Sequence, residues 1–225
     1  MATIITVANQ KGGPGKTTTA INVACGMAGA GYRMAVVDLD PQATLSKWNK
    51  KRMKLGLNGF SVQSVTQGML EDTLQELRAS ARVDVVIVDC PGNIQDLTTR
   101  AVELSDAVLC PVRATAFDFE ATKDISRFID TVRQTHPEIR FMLFVNAKHV
   151  SRGLDKGARD NLVRIFEKHH NTRVLTTEIP DAAAIAEFGG TGQSIFEYAP
   201  KATAARLYKK LTKEVVECLL NPVSA

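Results

Sequence analysis

The sequence predicts an α/β fold: a doubly wound, mostly parallel sheet with helices on both faces. Three observations carry that expectation. Short aliphatic runs alternate with stretches of helical period along the chain, the pattern of repeated strand–helix units. One run, Val83-Asp84-Val85-Val86-Ile87-Val88-Asp89, is almost continuously aliphatic, as a parallel strand is when helices cover both its faces. A glycine-rich turn, residues 9–18, separates the first aliphatic run from the first helical stretch. That context turns such a turn into a phosphate-binding mechanism. With 225 residues, the chain is long enough for one sizeable α/β domain and short for two, so residues 1–225 are expected to form a single domain.

Taken in order, Thr3–Ala8 is apolar and β-branched, the first strand. A helix is expected from Thr17 to about Ala30, ended by Gly29 and Gly31. Met34–Asp38 reads as the second strand, and Thr44–Lys54 as a helix with Trp48 and several lysines. Gly56–Gly68 shows no clear period and stays ambiguous. Met69–Ala79 places Leu70, Leu74 and Leu77 on one helical face. After the strand at 83–89 come a short helix, Asp96–Glu103, a strand, Ala107–Val112, and a long amphipathic helix, Phe117–Arg133, with Ile125, Phe128, Ile129 and Val132 on one side. Phe141–Asn146 is another buried strand. Asp155–Lys168 is a helix with Leu162, Ile165 and Phe166 inward, Val174-Leu175 a short strand, and Lys201–Leu219 the last helix, with Leu207, Leu211 and Val215 inward.

Composition narrows the function classes. Hydrophobic residues make up 44% and charged residues 23%, an ordinary globular balance. A net charge of +4 permits a polyanionic partner without requiring one. The cysteines, at 25, 90, 110 and 218, include no Cys-x-x-Cys pair and no accompanying His cluster. They read as buried free thiols of a reducing compartment. No basic segment followed by an apolar one precedes the first strand, so no secretory signal is expected. No apolar run approaches membrane-spanning length, so no stable membrane insertion is expected.

The chemistry starts at Asn9-Gln10-Lys11-Gly12-Gly13-Pro14-Gly15-Lys16-Thr17-Thr18. Gly12, Gly13 and Gly15 let the backbone curl with its N–H groups inward, and the positive N-terminus of the following helix completes a cage for phosphate. Lys16 would reach the terminal phosphates, and the Thr17 hydroxyl, beside Thr18, would hold Mg²⁺. Asp89 closes an aliphatic strand beside this loop, where a carboxylate holds the metal's water shell opposite Thr17. The loop departs from the usual pattern, since Gln10 stands four residues before the Gly-Lys pair and a second lysine, Lys11, adjoins the glycines.

The run Lys-Gly-Gly-x-Gly-Lys-Thr-Thr resembles the deviant Walker A motif of the ParA/MinD ATPases. The likeness covers essentially the whole chain, specifically in its N-terminal motifs and mainly by element order in its second half. It implies ATP and Mg²⁺ as cofactors. It implies that Lys11 crosses to the nucleotide of a partner subunit in an ATP-dependent homodimer. It places Asp40, in Val-Asp-Leu-Asp-Pro-Gln, at the attacking water, and Asp38 near Mg²⁺ or the loop. Asn146 would read adenine, with Pro180-Asp181 on the other side of the base. Asp89 to Asn93 would be the second switch, with Gly92 where relatives carry a second proline or other small residue. Pro14, at the variable position, removes a donor and fixes φ, which bears on nucleotide affinity.

The resemblance also implies non-specific DNA binding by the dimer, hence a cytoplasmic, nucleoid-associated protein. Candidate contacts are Lys168, Arg173, Lys201, Arg206, Lys209, Lys210 and Lys213, the last four on one helix. Larger plasmid relatives carry an N-terminal helix-turn-helix. Here the loop begins ten residues in, so operator-specific repression is not expected. The expected work is segregation of plasmid or chromosomal DNA with a ParB-like partner. Positioning of a protein cargo such as a chemoreceptor cluster or carboxysome, through an adaptor, stays open. A MinD-like membrane ATPase would need a basic amphipathic C-terminus, but Glu214 and Glu217 there would be repelled by anionic lipid. An enzyme using ATP on a small substrate would need a second catalytic constellation, and the sequence shows none.

Overall fold

The computed structural model describes residues 1–9, 13–57, 59–92, 95–113, 119–148, 157–166 and 168–220. Among these, seven parallel strands form one sheet: β1 (Thr3–Val7), β2 (Met34–Asp38), β3 (Phe60–Ser64), β4 (Val85–Asp89), β5 (Ala107–Arg113), β6 (Arg140–Asn146) and β7 (Thr172–Val174). Their order is β3-β2-β4-β1-β5-β6-β7. The helices are α1 (Lys16–Gly29), α2 (Thr44–Lys54), α3 (Leu70–Ala79), α4 (Gln95–Glu103), α5 (Phe119–Thr135), α6 (Ala158–Phe166), α7 (Ala183–Phe188), α8 (Ile195–Tyr198) and α9 (Thr203–Leu220).

Side chains alternate across each strand, so an aliphatic strand feeds a core on both sides. Ile5, Val7, Val36, Ile87, Leu109, Met142 and Phe144 meet Val23 and Met27 of α1 and Leu211 and Val215 of α9. On the opposite face, Ile4, Val37, Val86 and Val88 pack with Leu70, Leu74 and Leu77 of α3 and Leu97 of α4. Further along that face, Val108, Cys110, Leu143 and Val145 meet Ile125, Ile129 and Val132 of α5 and Phe166 of α6. The sheet is therefore doubly wound. The chain builds outward from β1 to one side through β2 and β4, then to the other through β5. That reversal opens a crevice at the carboxyl ends of the strands, where α/β sheets bind ligands.

The differences from expectation are local. β3 arises within the ambiguous stretch. It is an edge strand paired only to β2 among the described residues, and its side chains are half-buried or exposed, so it needs no apolar run. β4 begins at Val85, two residues into the aliphatic run. Asp84 turns aside to accept hydrogen bonds from the Arg33 backbone N–H at 2.8 Å and Nε at 3.0 Å. β7 is Thr172–Val174, not Val174-Leu175. In α9 the inward positions include Tyr208, Leu211, Thr212 and Val215, while Leu207 sits at the margin of the core. The helices α7 and α8 are too short to show a period. Asn93 and the segment 149–156 lie outside the described residues.

The helix α2 is anchored on one side only. Leu45, Trp48 and Arg52 face inward. The Trp48 Nε1–H donates to the Gln193 carbonyl at 2.9 Å. Arg52 forms a two-pronged pair with Glu197 at 2.7 and 2.8 Å and lies over the Trp48 ring, 5.2 Å from its centroid. Gly192 has a φ of +84°, and a Cβ there would come 2.6 Å from the Arg52 backbone nitrogen. No other residue permits that approach.

Candidate nucleotide site

The glycine-rich loop leaves β1 through Asn9, which is buried and donates from Nδ2 to the Pro111 carbonyl at 2.8 Å. Gln10, Lys11 and Gly12, and with them the expected reach of Lys11, lie outside the described residues. Gly13 and Gly15 have φ of 82° and 88°. Gly15 caps α1 with no side-chain hydrogen bond, and the first turn holds no acid. The first helical bond is Thr19 N–H to the Gly15 carbonyl at 2.9 Å. The N–H groups of Lys16, Thr17 and Thr18 therefore lie in the first turn with no helical acceptor, at the positive end of the helix dipole.

Pro14 is buried, and its carbonyl accepts a hydrogen bond from Asn146 Nδ2 at 2.7 Å. A Cβ on Gly15 would lie 2.5 Å from that same nitrogen. The end of β6 thus props the loop from behind. Asn146, the expected reader of adenine, thus has its amide nitrogen on the loop backbone. Pro180 and Asp181 lie next to it, joined by Asp181 N–H to the Lys148 carbonyl at 2.9 Å and a parallel bridge between Lys148 and Pro180. These long-range contacts leave no trace in local sequence.

The acids stand at neighbouring strand ends. Asp38 and Asp89 are partners in register across β2 and β4, and both are buried. Burial pushes the Asp89 carboxyl up to about 8, with the Thr17 hydroxyl and Lys16 pulling it back and Asp38 and Asp40 adding to the rise. Thr17 is close enough to matter, yet neither Asp89 oxygen has a well-directed hydrogen-bond partner among the described residues. Burial likewise lowers the Lys16 ammonium, with Asp89 foremost among the groups opposing it. Asp38 is engaged differently. Its Oδ2 accepts from Ser46 N–H at 2.9 Å and Ser46 Oγ at 2.7 Å, and its Oδ1 from Asp40 N–H at 3.2 Å. Asp38 therefore ties the Asp40 turn to the first turn of α2, while standing beside Asp89. Asp40 is half-exposed and accepts from Gln42 N–H at 2.9 Å.

Sequence reasoning missed Arg113. It ends β5 opposite Asn146 in register, exposed, and a Cβ on Gly13 would lie 4.0 Å from its Nη1. The only local signal is a cation one residue past an apolar strand. The expected DNA contacts Lys168, Arg173, Lys201, Arg206, Lys209, Lys210 and Lys213 are all exposed. Lys210 lies 3.8 Å from Glu214, and Lys213 3.6 Å from Glu217.

Among the described residues, no group of three His, Cys, Asp or Glu side chains could hold a metal alone. Cys90, Cys110 and Cys218 are buried free thiols, and Cys25 is half-buried. A cation here needs phosphate or water oxygens besides the protein, as Mg²⁺ at nucleotide sites does. The two buried, poorly paired oxygens of Asp89 beside Thr17, facing an uncapped helix N-terminus, fit such a group. They define a P-loop nucleotide-binding protein.

Comparison with known proteins narrows the class. The CobQ/CobB/MinD/ParA nucleotide binding domain matches residues 5–195, and the chain belongs to that family. It is an ATPase with ATP and Mg²⁺ as cofactors. The chromosome-partitioning ATPase Soj of Thermus thermophilus is 29% identical over 94% of both chains. The maintenance of carboxysome distribution protein A of Halothiobacillus neapolitanus is 28% identical, covering 94% of this chain and 95% of that one. In fold, the chain matches cobyrinic acid a,c-diamide synthase of Mycobacterium smegmatis, solved with an ATP analog and magnesium, with a TM-score of 0.74 at 19% identity over 99% and 98% of the chains. Among the described residues, no helix is long and apolar enough to cross a membrane.

Proposed function

We propose that this protein is a partition-type positioning ATPase whose ATP-bound dimer binds DNA without sequence preference and releases it after hydrolysis. The observation that carries the reading is near-full-length likeness to a chromosome-partitioning ATPase and a carboxysome-distribution protein, on a chain that keeps a nucleotide site.

The geometry of the described residues and the family resemblance together support the following roles. Lys16, buried at the start of α1, binds the terminal phosphates, with the first-turn N–H groups beside it. Thr17 and Asp89 would hold the magnesium, which when bound would neutralise charge on those phosphates. Asp38 holds the turn, and Asp40, at its half-exposed end, orients the attacking water. Phosphoryl transfer asks little beyond such positioning and charge stabilisation. Arg113 adds a cation next to Gly13. Pro180 and Asp181 flank the base. Lys11 reaches the partner's phosphates, so dimerisation reports ATP. A ParB-like or cargo-adaptor protein stimulates turnover.

A membrane-bound alternative is less well supported, because Leu211, Val215 and Cys218 of α9 are already buried in the core against α1. The deciding experiment is DNA binding with ATP, with ADP and without nucleotide at two salt concentrations, with liposome pelleting alongside. Binding that needs ATP and weakens with salt is expected. Indifference to nucleotide sinks the DNA switch, and pelleting with anionic vesicles revives the membrane reading.

A further inference from the structure

We infer that the outward face of α2 is a binding surface for the phosphate backbone of duplex DNA. The inference rests on the DNA-binding reading above and places the contact on a different element from α9.

Lys47, Lys50, Lys51 and Lys54 stand at i, i+3, i+4 and i+7, so they share one face of the helix, opposite Leu45, Trp48 and Arg52. All four are exposed. From Pro41 to Leu70 the sequence holds no Asp or Glu. Within this stretch only Arg52 meets a carboxylate among the described residues, that of Glu197. The lysine stripe spans about 10 Å of helix. Duplex DNA carries a charge about every 1.7 Å of axis, so several phosphates fall within that length. The stripe holds lysines alone, point charges suited to phosphates, without the forked donors that read base edges.

The helix is also fixed in rotation. The Trp48 bond to Gln193 and the Arg52–Glu197 pair hold its inner face, and the Lys51 Nζ donates to the Gly190 carbonyl at 2.7 Å. The lysines are thereby kept outward. At its N-terminal end, Ser46 is bonded to Asp38, two residues from Asp40. The hydrolysis turn and the basic face thus belong to one short unit, which provides a route for nucleotide state to reach DNA. In α9, by contrast, Lys210 and Lys213 lie beside glutamates.

The test uses the full chain with Lys47→Gln, Lys50→Gln and Lys54→Gln combined. Lys51 is kept because of its bond to Gly190. Binding to a fluorescent random-sequence duplex is read by anisotropy with a non-hydrolysable ATP analogue and Mg²⁺, across a potassium chloride series. The triple variant is expected to bind about 10-fold or more weakly at low salt. Its slope of log affinity against log salt should be shallower by about 2–3, near 0.9 for each lost phosphate contact. Basal ATP hydrolysis should be unchanged, which also shows that the variant folds. Arginine at the same three positions should restore binding. Lys209→Gln, Lys210→Gln and Lys213→Gln combined should change the slope less. Wild-type DNA binding with an unchanged affinity and slope in the α2 variant would overturn the surface alone. A wild-type protein that binds no DNA but captures poly-glutamate through α2 would overturn both the surface and the DNA-binding reading.

Discussion

Asp38 and Asp89 end adjacent strands, sit opposite each other in register and are equally hidden from solvent. Their surroundings nevertheless give them opposite chemistry. Asp38 has a serine N–H, a serine hydroxyl and a backbone N–H on its oxygens, so its hydrogen-bonding capacity is well used. Asp89 has only Thr17 and Lys16 to offset its burial, and neither of its oxygens has a well-directed hydrogen bond among the described residues. A buried carboxylate whose oxygens lack partners holds a proton or waits for a cation. Burial therefore does not mark a functional acid. On the function proposed above, what marks Asp89 is how little around it offsets that burial.

The largest test of that contrast is Asp89→Asn. Magnesium-dependent ATP hydrolysis should fall about 100-fold or more, while the nucleotide-free protein melts no lower than wild type, because a poorly compensated acid has been removed. Retained activity with lost stability would reverse the comparison. Asp38→Ala should do the opposite. Leaving the Ser46 and Asp40 donors unpaired costs about 3 kcal/mol, or roughly 6–12 °C in melting temperature for a chain of this size, with ATP affinity nearly retained. A variant that melts like wild type but no longer binds magnesium would place Asp38 at the metal.

The pH dependence is a smaller and separate check. Folding raises the Asp89 carboxyl from its ordinary range, near 4, to about 8. The folded state then binds the proton more tightly than the unfolded chain, so this contribution to stability is full below about 4 and is lost as pH rises toward 8. Nucleotide-free protein should melt lower with rising pH across that window, and Asp89→Asn should flatten the slope. An unchanged slope in that variant would show that Asp89 is already ionised when folded. The smallest effect is Ser46→Ala, which removes one hydroxyl bond to Asp38 and one to Ser64 and should cost about 1 kcal/mol by chemical denaturation.

The fold was legible because strands buried on both faces must be largely apolar, and β1, β2, β4, β5 and β6 are, apart mainly from threonines and polar residues at their ends. β3 was not, because an edge strand covered on one side tolerates Ser61, Gln63 and Ser64. The phosphate loop and the strand-end acids were legible as a local pattern. The different tasks of Asp38 and Asp89 were not, since they depend on where Ser46 lands after a turn. Asn146 illustrates the same limit. Its position after β6 could be read, but its partner, Pro14, lies 132 residues away. The lysines of α2 were visible as composition, but their shared outward face depends on Trp48 and Arg52 finding partners beyond residue 190.

The strut from Asn146 to Pro14 has a kinetic consequence. A phosphate loop that had to be ordered by its ligand would bind slowly and lose affinity to the entropy of ordering. Here Gly13, Pro14 and Gly15 are held by a ring-locked φ, a buried position and an amide from a neighbouring strand before any phosphate arrives. Nucleotide capture at this part of the loop is then governed by encounter, and ADP and ATP meet the same shape. Discrimination between them then falls to the groups that meet the terminal phosphate, which the function proposed above puts on the side of Asp40 and Asp89.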